Sequence, residues 1–142
     1  MMKEQNYKNH RRLVPSYHGF TLLLLIAFII GSIRNFYLAP GDIYDASLLV
    51  AAAIILTSLY FHSRGFALKA QDRAIRAEEN LRYFILTGKR MDQRLTTKQI
   101  VALRFASDEE FPSLAQKAID ENLDSNTIKK SIRNWRGDWH RV

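Results

Sequence analysis

Cysteine is absent from all 142 residues. That excludes disulfides, thiol chemistry and any zinc site built on cysteine. Histidine is scarce, and His10, His18, His62 and His140 lack the close spacing of metal ligands. No nucleophile sits in a recognisable elbow or beside a partner histidine. A phosphate-binding loop is missing too. Gly88-Lys89 lacks the upstream glycine of that motif, and Arg90 stands where Ser or Thr is required. Neither enzymatic activity nor a cofactor, metal or small-molecule ligand is expected. Formal charge is also missing, altogether, from two stretches: Leu13 to Ile33, 21 residues, and Ala46 to Ser63, 18 residues.

Those uncharged stretches are what the chain has instead. A helix needs about 20 apolar residues to cross the hydrocarbon core of a bilayer. Both runs are apolar on every face, which suits lipid better than a half-exposed soluble helix. Spans are expected at about 17–36 and 45–63. A cleavable signal is disfavoured, because bulky Ile33-Arg34-Asn35-Phe36-Tyr37 follows the first run where a peptidase needs small residues. The segment from Arg34 to Asp45 holds the turn pair Pro40-Gly41 and is short enough to join only antiparallel neighbours. A transmembrane helical hairpin follows.

Charge sets its orientation. Lys3, Lys8, Arg11 and Arg12 outweigh Glu4 before the first run. The loop carries Arg34 against Asp42 and Asp45. From Arg64 onward there are 16 Lys or Arg and 11 acids, and the whole chain carries +7. Basic residues near span ends stay on the cytoplasmic side. Both termini are therefore expected in the cytoplasm. Arg34, at the end of its run, reads as a side chain snorkelling to the outer interface. Three regions follow: a basic tail (1–16), the hairpin (17–63) and a cytoplasmic helical domain (64–142).

Small residues four apart let helices approach closely in lipid. Ala27 and Gly31 have this spacing in the first span, and Ser47 and Ala51, then Ala53 and Thr57, in the second. They would hold the hairpin together or join two hairpins. Beyond the second span a helical stalk is expected over about 64–86. Its seam, Ala67, Ala70, Ala74, Ala77, Leu81 and Phe84, alternates spacings of three and four, as coiled coils do. Two readings stand open: a dimerisation stalk, or a face packed on the chain's own C-terminal helices. Asp72 with Arg76 and Glu78 with Arg82 have the favourable acid-first, four-residue order.

Three short helices follow, enough for a small helical bundle. Thr96 and Gln99 form a capping box, and Ser107 and Glu110 a second one. Pro112 offers another start, as a residue of the first helical turn. The acids 108–110 suit the positive end of a helix dipole and need no metal. The last helix is expected from near Asp124 or Ser125 through Ile128, Ile132 and Trp135 toward Gly137. Lys129, Lys130, Arg133 and Arg136 on it could meet nucleic-acid phosphates. However, Asp120, Glu121 and Asp124 lie close by, and Lys117 and Glu121 occupy positions where a helix-turn-helix wants apolar residues. Anionic lipid heads would attract the same bases. Nucleic acid is disfavoured.

Four polar strings carry a resemblance: Gln5 to His18, Gln71 to Arg82, Leu103 to Glu110, and Asn134 to Val142. On these the chain resembles an uncharacterised family of small bacterial two-span membrane proteins, catalogued as a domain of unknown function. The resemblance implies a two-span protein of the bacterial inner membrane and carries over no catalytic residue. It draws attention to the cytoplasmic strings. His10, Arg11 and Arg12 are expected to fold back on Asp72, Glu78 and Glu79 and on the C-terminal bundle.

The expectation is an all-α protein: a transmembrane hairpin followed by a stalk and a small bundle. Its expected role is that of a non-catalytic accessory, scaffold or regulatory subunit. Its partners would be the lipid bilayer and a second copy or a larger membrane complex. The alternative is a membrane-tethered regulator whose C-terminal three-helix region binds nucleic acid.

Overall fold

The computed structural model describes residues 5–10, 12–38 and 41–139. Arg11 and Pro40, both singled out above, lie outside the described residues. The protein is all-α, with an isolated bridge between Ala106 and Trp135 as the sole β pairing among the described residues. The chain divides into two compact units, Leu13–Ala67, and Met1–Arg12 together with Leu68–Val142.

In the first unit a π-helical turn, Ser16–Thr21, leads into α1, Leu22–Leu38. The next helix, α2, runs Ile43–Thr87 and crosses from one unit into the other. Asp42 starts it, its carboxylate accepting the Tyr44 backbone N–H at 2.9 Å. Ser16–Leu38 and Ile43–Thr87 are long and apolar enough to cross a membrane. The buried side chains of this unit are Leu25 and Ser32 on α1 and Ala46 and Ala53 on α2. Tyr17 and Tyr60 close one end of the pair. Their rings stack at 4.3 Å, and each hydroxyl donates to the other's backbone carbonyl.

Small residues do make this contact, but mostly not the expected ones. Ala27, Gly31, Ser47 and Ala51 are exposed, while Ala53 and half-buried Thr57 face inward. Where every face of a helix is apolar, four-residue spacing does not determine which face meets the neighbour.

The second unit begins on α2. Gly88 ends that helix in the left-handed region, φ +68°, donating its N–H to Phe84 O at 2.8 Å. Three short helices follow: α3, Thr97–Leu103; α4, Phe111–Asp120; and α5, Ser125–Ser131. The Thr96 and Gln99 box is complete, with Gln99 Oε1 accepting the Thr96 N–H at 2.8 Å. Gln99 Nε2 also donates to Leu123 O at 2.9 Å, so one side chain starts α3 and clamps the end of α4. There Asn122 takes φ +47°, and Leu123 N donates to Ala118 O at 3.0 Å. This is a Schellman end with asparagine in the glycine position. Asp124 caps α5 through the Thr127 N–H at 2.7 Å. Hydrogen bonding from the Thr127 side chain, then from its backbone, holds the Asp124 carboxyl below its usual range.

Phe111, Leu114, Ala115 and Ala118 give α4 an apolar face at helical spacing. With Ile100, Leu103, Phe105, Ile128 and Ile132 they form the core, against which Tyr83 of α2 and Trp135 pack.

Two expectations about termini need correction. Ser107 Oγ accepts from Glu110 N at 3.4 Å, but α4 starts only at Phe111, with Pro112 in its first turn. The Glu110 carboxylate does not reach back to Ser107; it accepts the backbone N–H groups of Arg133 (3.2 Å) and Asn134 (3.3 Å). The last helix therefore stops at Ser131 instead of running through Trp135. Its continuation is captured by Glu110 and by the bridge, where Arg136 N donates to Phe105 O at 2.7 Å and Ser107 N to Asn134 O at 3.0 Å.

On the second unit's part of α2, from Leu68 onward, the covered side chains are Ile75 and Glu79, with Arg82 and Tyr83 beside them. The seam Ala67, Ala70, Ala74, Ala77, Leu81 and Phe84 is exposed throughout. The reading in which that seam packs on the chain's own C-terminal helices is thereby corrected. Arg82 pairs with Glu79 and Asp108 instead of Glu78. Among the described residues Asp72 and Arg76 form no ion pair.

Candidate interaction site

Glu79 projects from α2 into the second unit and is only 6 % exposed. A buried carboxylate must be paired, and Arg82 supplies the partner one turn along, Nη1 to Oε2 at 2.9 Å. The same guanidinium binds Asp108 through Nε at 2.7 Å and the Ala106 carbonyl through Nη2 at 2.7 Å. Its plane lies 4.5 Å over the Phe111 ring. Arg136, after the bridge, approaches Glu79 from the other side at 3.9 Å. Arg104, buried at the end of α3, pairs with Asp138 at 2.9 Å and lies 4.5 Å over Phe105. Arginine suits such places because its planar fork bonds several acceptors while its face covers an aromatic ring.

Glu79, Arg104, Arg136 and Asp138 line a cavity of about 350 Å³ together with Gln71, Ala74, Glu78 and Trp139 among others. The Gln71 side-chain oxygen is buried there, with no hydrogen-bond partner among the described residues.

The tail completes the site. Gln5 is buried, and its side-chain oxygen accepts the Asp138 backbone N–H at 2.8 Å. His10 sits among Phe105, Trp135 and Tyr7, with ring centroids 5.9, 5.9 and 5.6 Å away. Its Nε2 lies 3.4 Å from Lys129 Nζ, and its Nδ1 lies 2.6 Å from Tyr7 O. Lys130 lies 5.7 Å from the centre of the Tyr7 ring. Arg12 donates to the Trp139 carbonyl at 2.8 Å.

Among the expected interaction residues, then, Glu79 meets Arg136 and His10 meets Lys129. Asp72, Arg76, Glu78 and Arg133 meet no tail residue among the described contacts. Where the sequence suggests basic tail against acidic stalk, His10 and Arg12 instead reach Lys129, two aromatic rings and a backbone carbonyl. Glu79 is already neutralised by Arg82 and Arg136, so it offers the tail no unpaired charge. Tail docking here is chiefly packing and backbone hydrogen bonding.

Gln5, Tyr7, Arg104, Phe105, Trp135 and Asp138 escaped the charge-based reading. The available signal was the set of four polar strings, because each contributes to this one site. Replacing Gln5 and Tyr7 together by alanine should uncover Trp135. The expected result is a red-shifted tryptophan emission, faster proteolysis near 135–139, and the loss of about 1 kcal/mol for the Gln5 hydrogen bond. Unchanged emission and unchanged cleavage would show that the tail does not cover this site.

Among the described residues no three His, Asp or Glu side chains gather into a metal-holding group. A family model described as a family of unknown function, DUF6526, matches residues 2–142. No curated protein matches the chain. No solved structure matches it.

Proposed function

We propose, for a chain that belongs to DUF6526, a family of unknown function, that it is a membrane-anchored, non-catalytic accessory or scaffold subunit. One observation carries this reading. The helix pair turns large apolar side chains outward on all sides, among them Leu23 at 68 %, Ile30 at 62 %, Ile54 at 66 % and Phe61 at 64 % exposed. A contiguous apolar surface of this kind asks for lipid or protein around it. The other unit pairs its buried charges with one another, which supports a rigid binding body more than a reaction site.

The inner membrane of a bacterium is the proposed location, with the loop near Gly41 outside and both ends in the cytoplasm, following the distribution of Lys and Arg. Lys129 and Lys130 lie against His10 and Tyr7. That placement favours the scaffold reading over nucleic-acid binding, because the tail stands where phosphates would.

The cysteine-free chain makes the test direct. Gly41→Cys and Asn126→Cys are introduced singly and probed with a membrane-impermeant maleimide. The expected result is that the protein resists alkaline extraction from membranes. Gly41→Cys should label in intact cells, and Asn126→Cys only after lysis. Release into the soluble fraction, or labelling of Asn126→Cys in intact cells, would overturn the proposal.

A further inference from the structure

The stalk portion of α2 has two faces with different fates. Successive helical residues turn by about 100°. On that basis Ile75, Glu79, Arg82 and Tyr83, which the protein's own second unit covers, lie about 150° round the helix from the centre of the Ala67–Phe84 seam. The seam is exposed along its whole length, with Leu81 at 60 % and Phe84 at 50 %. Ile85, at its margin, is 72 % exposed.

We infer that this seam is the interface between two copies of the chain, paired as a parallel coiled coil. The alternation of three and four residues is the spacing that keeps one stripe facing a supercoiled partner helix. The flanks decide in favour of a second copy. With Ala67, Ala74 and Leu81 at the first core position, Arg73 falls on one flank and Glu78 on the other. In a parallel pair, flank residues five apart meet across the interface. Arg73 of each copy then faces Glu78 of the other, giving two opposite-charge contacts by symmetry. The next such pair is Asn80 with Ile85. Asn80, Leu81, Phe84, Met91 and Leu95 wall a groove of about 420 Å³ on that flank, and Ile85 of the second copy is placed to enter it. The alanines bury little area each but allow close approach, so Leu81, Phe84 and Ile85 provide most of the apolar burial.

The parallel direction rests on the membrane reading above. The apolar run of α2 leads into the stalk without a break. Two copies inserted the same way therefore present their stalks in the same direction.

Single cysteines test the geometry in native membranes. Ala70→Cys, Ala74→Cys and Ala77→Cys lie on the seam, and Lys69→Cys and Arg76→Cys lie off it. Oxidation should give several-fold more disulfide-linked dimer from the first three. With Ala74→Cys as reporter, Arg73→Glu alone and Glu78→Arg alone should each weaken cross-linking. The two together should restore it, which also guards against a fold defect. Three outcomes would overturn the inference: seam and off-seam positions linking equally, efficient linkage between Ala70→Cys and Phe84→Cys chains (an antiparallel pair), or linkage only to a different protein. Fractionation of the same samples keeps the two proposals apart. A protein that pellets with membranes but shows no seam linkage overturns the dimer alone, and one that leaves the pellet overturns the membrane reading.

Discussion

Replacing Arg82 by alanine is expected to lower the stability of the second unit by about 3–5 kcal/mol, the range for removing one member of a buried ion pair. The substitution deletes the bonds to Glu79, Asp108 and Ala106 O and uncovers one face of Phe111. Most of the loss comes from what stays behind. The Glu79 side chain is 8 % exposed and would keep only Arg136, at 3.9 Å. A carboxylate held out of water with one distant partner is strongly destabilising. Arg82→Lys should fall between wild type and alanine, because an ammonium keeps the charge but not the fork. Denaturant titration of the solubilised full chain, followed by tryptophan emission, measures this cleanly: the protein has two tryptophans, and both Trp135 and Trp139 lie in this unit. A loss below about 1 kcal/mol would place Arg82 with ordinary surface pairs and remove Glu79 from the list of buried charges that need it.

Phe111→Ala is expected to cost a similar amount, about 3–5 kcal/mol, as buried Phe-to-Ala changes do. Phe111 is completely buried at the start of α4, with Tyr83 edge-on at 5.8 Å. It joins α2 to the short helices, so its loss leaves a cavity between elements that the chain cannot easily close. With a total stability of about 5–15 kcal/mol for a typical domain, this change takes much of the margin. Because Arg82 lies over the Phe111 ring, the double variant should lose less than the sum of the singles. Strict additivity, or a Phe111→Ala chain with an unchanged denaturation midpoint, would contradict the packing described here.

The parts legible in the sequence share a physical property: they depend on neighbours along the chain. The two uncharged runs announce apolar helices because every residue in turn carries the same signal. The Thr96–Gln99 box and the Gly88 cap are likewise local, set by groups within a few residues. What the sequence concealed depends on distant groups. Glu110 has the right spacing for a box with Ser107, yet its carboxylate closes on Arg133 and Asn134, and α5 is shorter for it. Small residues along α1 and α2 are too numerous for spacing to choose a face, and Ala46 and Ala53 are buried while Ala27 and Gly31 are exposed. The tail looked electrostatic because its basic residues are conspicuous. Gln5, which carries no charge, makes the more buried contact. The seam was legible as a pattern, but only the structure shows which face of α2 the protein's own helices leave open.

The hydrogen bond from Asp138 to Gln5, and that from Arg12 to the Trp139 carbonyl, impose an order in time. A ribosome makes residues 5–12 long before 135–139. The early segment must wait, undocked, while both apolar helices are synthesised, and it finds its place only when residues 135–139 emerge. Until then Phe105 lacks both His10 and Trp135 as neighbours. Closure of the second unit is thus a late event in the life of the chain, and a nascent chain stalled before Trp135 would hold its helices without the segment that seals them.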